Sequence, residues 1–170
     1  GDTRFDRVLE ICNQAKNLPL VEQFKGNALT LVAGSSWAPD EDIFIPYFNS
    51  HPEMKLIIAP HVISESHLKE IMAKLKRPVV RYTEATEESV KQADCLIIDC
   101  FGLLSSIYRY GEVSYIGGGF GVSIHNTLEA AVYGIPVVFG PNNKKFLEAQ
   151  GLKKCKGGFE ITGAEEFNAL

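Results

Sequence analysis

Residues 28–50, "ALTLVAGSSWAPDEDIFIPYFNS", set an apolar run (28–34) against a glycine, two hydroxyls and an acidic segment that leads into an amphipathic stretch. The run is nearly free of polar residues, as a strand buried on both faces requires, and the spacing from 40 to 50 predicts a helix. Such a strand–loop–helix unit builds a parallel sheet only if it recurs.

It recurs along the chain. "MKLIIAP" (54–60), "RPVVRY" (77–82), "ADCLIID" (93–99), "EVSYIGG" (112–118) and "IPVVFG" (135–140) are further β-rich runs bounded by Gly, Pro or Asp. Helical patterns lie between them, at about 65–75, 86–92, 102–110, 126–134 and 143–150. This alternation predicts an α/β fold with a doubly wound, mostly parallel, six-stranded Rossmann-like sheet. Ligands in that architecture bind outside the carboxyl ends of the strands.

Residues 1–24 differ: "TRFDRVLEICNQA" reads as a helix and "NLPL" as its stop, so a linker with a packed helix is expected there and the domain proper over 25–170. The chain starts at Gly1 and ends in "TGAEEFNAL", a helical pattern without a C-cap signal. A piece of a larger protein, cut at both ends, is therefore expected.

With 170 residues, 45% hydrophobic and 22% charged, the chain can bury one good core. Its net charge of -4 argues against tracking a nucleic-acid backbone, which needs a basic excess. Cys12, Cys95, Cys100 and Cys155 form no CxxC pair and have no zinc-type His spacing, so reduced packing cysteines and no metal are expected. No apolar run approaches the roughly 20 residues of a membrane span.

The strand ends carry the candidate site. Ser35 and Ser36 offer hydroxyls and backbone N–H groups to a phosphate or carboxylate, or else only form the turn. Pro60 and His61 follow the second strand, and His61 suits a phosphate or sugar hydroxyl as well as a locally satisfied loop position. After the fourth strand, Asp99 reads as a cap for the next helix, and Gly102 lets the backbone approach a flat ring.

After the fifth strand comes "GGGFGVSIHNTLEAA" (117–131). It is neither a Walker loop nor GxGxxG. Asn126 is a good N-cap, which points a positive helix end at the sheet mouth. Glu129 fits two roles equally, a ribose acceptor or the carboxylate of a capping box. Asn142, Asn143, Lys144 and Lys145 follow the sixth strand, where lysines attract anions or simply form a solvated face.

In their order these motifs resemble the C-terminal, donor-binding half of a two-Rossmann-domain (GT-B) glycosyltransferase, and most closely the 3-deoxy-D-manno-octulosonic acid (Kdo) transferases. "GDTRFD" resembles the interdomain segment, and "GSSWAPDE", "APH", "IDCFGLLSSIYRYGEVSYIGGGF" and "HNTLEAAVYGIPVVFGP" resemble the successive loops of that family. The resemblance implies that Ser35, Ser36, Pro60, His61, Phe101, Gly102, Leu103, Gly118, Gly119, His125, Asn126, Thr127, Leu128 and Glu129 surround the CMP moiety of the donor CMP-Kdo. It favours the ribose role for Glu129.

Two departures stand out: the family's arginine between proline and histidine is missing, since His61 follows Pro60 directly, and Phe101-Gly102-Leu103-Leu104 replaces Met-Gly-Glu-Leu. Base recognition at Leu103 is accordingly expected from backbone atoms. The resemblance further implies a metal-independent transfer to a lipid A precursor (lipid IVA) at the cytoplasmic side of the inner membrane. The acceptor site and catalytic base would lie in a preceding N-terminal domain, leaving this chain a soluble donor domain inactive by itself. A donor domain for a UDP-sugar, or a non-catalytic nucleotide-binding module, would share the fold.

Overall fold

A computed structural model describes residues 18–118, 137–139 and 158–161. They form an α/β domain whose elements run α1 (Pro19–Lys25), β1 (Leu29–Ser36), α2 (Ala38–Ser50), β2 (Met54–Pro60), α3 (Glu65–Lys74), β3 (Val79–Arg81), α4 (Glu87–Gln92), β4 (Cys95–Ile97), α5 (Leu104–Ile107), β5 (Val113–Ile116), β6 (Val137–Phe139) and β7 (Gly158–Glu160). Short 3₁₀ turns occupy Tyr82–Glu84 and Tyr108–Tyr110.

The strands lie in the order β3-β4-β2-β1-β5-β6-β7, and every pairing is parallel. β1 is central, with β2 on one side and β5 on the other. The winding direction therefore reverses between β1 and β5, which opens a crevice at their carboxyl ends. The expected doubly wound sheet is what the chain forms, with one strand more than the six read from the sequence. The extra strand, β7, joins the edge beside β6.

The continuous apolar runs are explained by two cores. Val32, Ile57, Leu96 and Ile98 face α1, α4 and the Tyr108–Tyr110 turn, whereas Leu31, Ala33, Leu56, Ile58, Cys95 and Ile97 face α2 and α3. Successive side chains of a strand point to opposite faces, so a strand covered on both sides must be apolar throughout.

Leu18, Pro19 and Leu20, from the segment read as a stop, cap and open α1, and the helix expected before them lies outside the described residues. Pro19 sits in the first turn, where its missing N–H has no helical partner to lose. The Leu18 N–H donates to Tyr110 Oη at 2.9 Å, and Val21 and Phe24 are fully buried, so this helix belongs to the domain core.

Candidate functional site

At the carboxyl ends of β1, β2 and β4 a cavity of about 200 Å³ is lined by Ser35, Ala59, Pro60, His61, Ile63, Ile98, Cys100, Phe101, Gly102 and Leu104. Five of the residues expected around a ligand, Ser35, Pro60, His61, Phe101 and Gly102, thus meet in one place. A larger groove of about 490 Å³ between α2 and α3 lies along the helix flanks, away from the strand ends.

The local backbone explains the meeting. The β1–β2 register shifts between Gly34 and Ser36, and Ser35 takes a positive φ of 54°. That conformation is uncommon for a non-glycine residue, and such strain gathers at ligand sites. The neighbouring Ser36 goes elsewhere: it is fully buried, and its hydroxyl donates to Glu41 Oε2 at 2.8 Å. Its carbonyl accepts the His61 N–H at 3.0 Å, tying the end of β1 to the loop after β2.

The His61 ring is exposed and stacks on Trp37, with centroids 4.4 Å apart and planes at 23°. Across the cavity Phe101 is 81% exposed, a large apolar surface left to water. Gly102 has φ +93°, so a side chain there would be strained. Leu103 does not line the cavity. Its side chain packs on the core, and its carbonyl accepts the Ser106 and Ile107 N–H groups, so that oxygen is already committed to α5.

Asp99 corrects the reading as a helix cap. Its Oδ1 accepts the Thr83 N–H at 2.9 Å, and its Oδ2 accepts the Thr83 hydroxyl at 2.6 Å and Arg81 Nε at 2.9 Å. Arg81 also grips both oxygens of Glu65 at the start of α3. The cap position of α5 falls to Leu103, four residues on, and the Asp99 carboxylate instead reaches sideways to the guanidinium at the end of β3 and the two donors of the turn that follows. Burial alone would push the Asp99 carboxyl up, but the Thr83 and Arg81 hydrogen bonds outweigh it and hold it below its ordinary value.

The fifth strand's exit is held from α2. The Tyr115 hydroxyl donates to Asp40 Oδ1 at 2.7 Å, and the Gly118 N–H donates to Asp40 Oδ2 at 3.1 Å. The N–H of Gly118, a residue expected beside the CMP moiety, is thus engaged by the protein. Burial, and then the Asp40 charge, raise the Tyr115 hydroxyl well above its ordinary value. Next to Asp40, Glu41 is fully buried, with His67 Nε2 at 3.1 Å from Oε2. Its Oε1 has no hydrogen-bond partner among the described residues. Burial raises this carboxyl, with the Ser36 and His67 contacts offsetting part of the rise.

Gly119, His125, Asn126, Thr127, Leu128 and Glu129, and likewise Asn142, Asn143, Lys144 and Lys145, lie outside the described residues. Sequence reasoning missed the roles of Asp40, Glu41, Tyr115, Arg81 and Thr83. The only signal was the acidic pair after Pro39, which reads equally well as a favourable helix start. Cys95 and Cys100 are free thiols, and no cluster of His, Cys, Asp or Glu suited to a metal occurs among the described residues. No helix among them is long and apolar enough to cross a membrane.

No family model matches the chain. It is similar to the 3-deoxy-D-manno-octulosonic acid transferase of Aquifex aeolicus, at 29% identity over 92% of this chain and 43% of the relative. The transferase of Rickettsia prowazekii is 27% identical over 100% of this chain and 38% of its own length. That of Chlamydophila psittaci is 31% identical over 66% and 26%. The chain therefore spans less than half the length of these curated relatives. Its fold is that of the crystal structure of the C-terminal CMP-Kdo binding domain of WaaA from Acinetobacter baumannii, with a TM-score of 0.72 at 20% identity, covering 96% of this chain and 84% of that one. The likeness to Kdo transferases read from the motifs is thus found over nearly the whole chain.

Proposed function

We infer, from that likeness to Kdo transferases, that this chain is the donor-binding domain of a glycosyltransferase that moves Kdo from CMP-Kdo to a lipid A precursor, lipid IVA, in lipopolysaccharide core synthesis. The observation that carries the reading is the cavity at the ends of β1, β2 and β4, where Ser35, Pro60, His61, Phe101 and Gly102 come together at the crevice of a doubly wound sheet. The geometry suits a flat base beside Gly102 and Phe101, with polar contacts from Ser35 and His61.

Transfer of a sugar from a nucleotide builds positive charge on the sugar and negative charge on the departing phosphate. The chain's part is to hold CMP as it leaves, with the phosphate at the helix start expected from the sequence at Asn126 and the ribose on Glu129. No metal is required by this scheme. The acceptor hydroxyl needs a base, which we assign to a preceding domain working at the cytoplasmic face of the inner membrane.

Calorimetric titration of the 170-residue chain tests this directly. CMP should bind more tightly than UMP or UDP, with no change on adding EDTA, and the chain alone should show no Kdo transfer. Preference for UDP would mark a different donor and sink the reading, and no response to any nucleotide would sink it as well.

A further inference from the structure

We propose that the adjacent carboxylates Asp40 and Glu41 are a positioning pair, which registers the strand ends of the donor site against one another through the first turn of α2. The proposal rests on the donor-site reading above. Asp40 reaches β5: it accepts from the Tyr115 hydroxyl and the Gly118 N–H, and its Oδ2 also accepts the Trp37 N–H at 2.9 Å, closing the start of α2. Glu41 reaches β1, where its Oε2 accepts the Ser36 hydroxyl, and Ser36 in turn holds the His61 N–H with its carbonyl. Two consecutive residues of one helical turn so fix both sides of the β1/β5 crevice, and the His61 backbone is set by the second of them.

Glu41 is an expensive way to do this. A fully buried carboxylate with one oxygen unpartnered among the described residues is destabilising. What the carboxylate supplies is an acceptor for Ser36 at the point where the β1–β2 register shifts. His67, the other group facing it, comes from α3 and extends the brace to a second helix.

Amide hydrogen exchange on the ligand-free chain tests the two arms separately. Glu41→Ala and Ser36→Ala should each speed exchange at His61 about tenfold while Gly118 stays within about twofold. The double variant should be no faster than either single one. Glu41→Gln keeps an acceptor and should restore wild-type protection at His61. Asp40→Asn, left with one acceptor oxygen, should do the reverse, loosening Gly118 and sparing His61. Variants that loosen both amides together, or neither, overturn the brace.

A CMP titration of the same proteins gives the second readout. Glu41→Ala and Asp40→Asn should each weaken binding about tenfold, with Glu41→Gln close to wild type. Wild-type affinity in all of them would overturn the positioning role even if the exchange pattern held. A wild-type chain that binds no CMP would instead overturn the donor reading, and the exchange pattern would still judge whether the two arms exist.

Discussion

Two buried carboxylates near the cavity respond to pH in opposite directions, because hydrogen bonds outweigh burial at one and burial outweighs them at the other. Asp99 is held below its ordinary value of 3.8, so the folded state releases its proton more readily than the unfolded chain. Its contribution is complete above that value and lost as pH falls through the lowered one. Asp99→Asn, which cannot satisfy Thr83 and Arg81 together, should cost about 1–3 kcal/mol in urea denaturation near neutral pH, with the difference from wild type shrinking in acid. Glu41 is raised above 4.5, so the folded state binds the extra proton and stability falls as pH rises through the raised value. Thermal melts of Glu41→Gln should therefore decline less between about pH 5 and about pH 8 than those of wild type. The Cys100 thiol on the cavity wall is pushed up, first by burial and then by the Asp99 charge. Alkylation at neutral pH should be slow, and slower again with CMP bound.

At the level of elements, the closest approach in the site is between β1 and the end of β5. The Gly117 N–H donates to the Gly34 carbonyl at 2.9 Å, and a Cβ on Gly117 would stand 2.6 Å from Ser36 Cα and press on the Ser35 carbonyl. Both neighbours are backbone and cannot turn aside. Gly117→Ala should cost about 1–3 kcal/mol by chemical denaturation and weaken CMP binding more than a surface change of equal size. The strands β1 to β5 and the helices α2, α3 and α4 were legible, all within two residues of their expected bounds, because continuous apolar runs bounded by Gly, Pro or Asp mark strands buried on both faces. β7 was missed because a three-residue edge strand, "GFE", carries too little pattern to register. α1 was missed because Pro19 reads as the end of the preceding segment, and a proline can follow one helix and start the next. The candidate site was half legible for a related reason. Glycine, proline and histidine after a strand announce a loop, whereas the reach of Asp40 to Tyr115 spans 75 residues and leaves no local trace.

For the molecule as a whole, composition and alternation announced a parallel doubly wound sheet, but strand order is set by crossovers that no local run encodes. The placement of β4 between β3 and β2, and of β1 at the centre, emerges only in three dimensions. That central placement governs how the chain can fold as it is made. β1 is made before either neighbour and finds β2 within about 25 residues, yet its other edge must wait for Val113–Ile116. Until then a largely apolar strand presents an open row of N–H and C=O groups, the kind of edge that pairs with other chains. Limited proteolysis of ribosome-stalled chains should find β1 unprotected until β5 has emerged from the exit tunnel. The strand pair that frames the crevice is thus also the latch that commits a newborn chain to its fold.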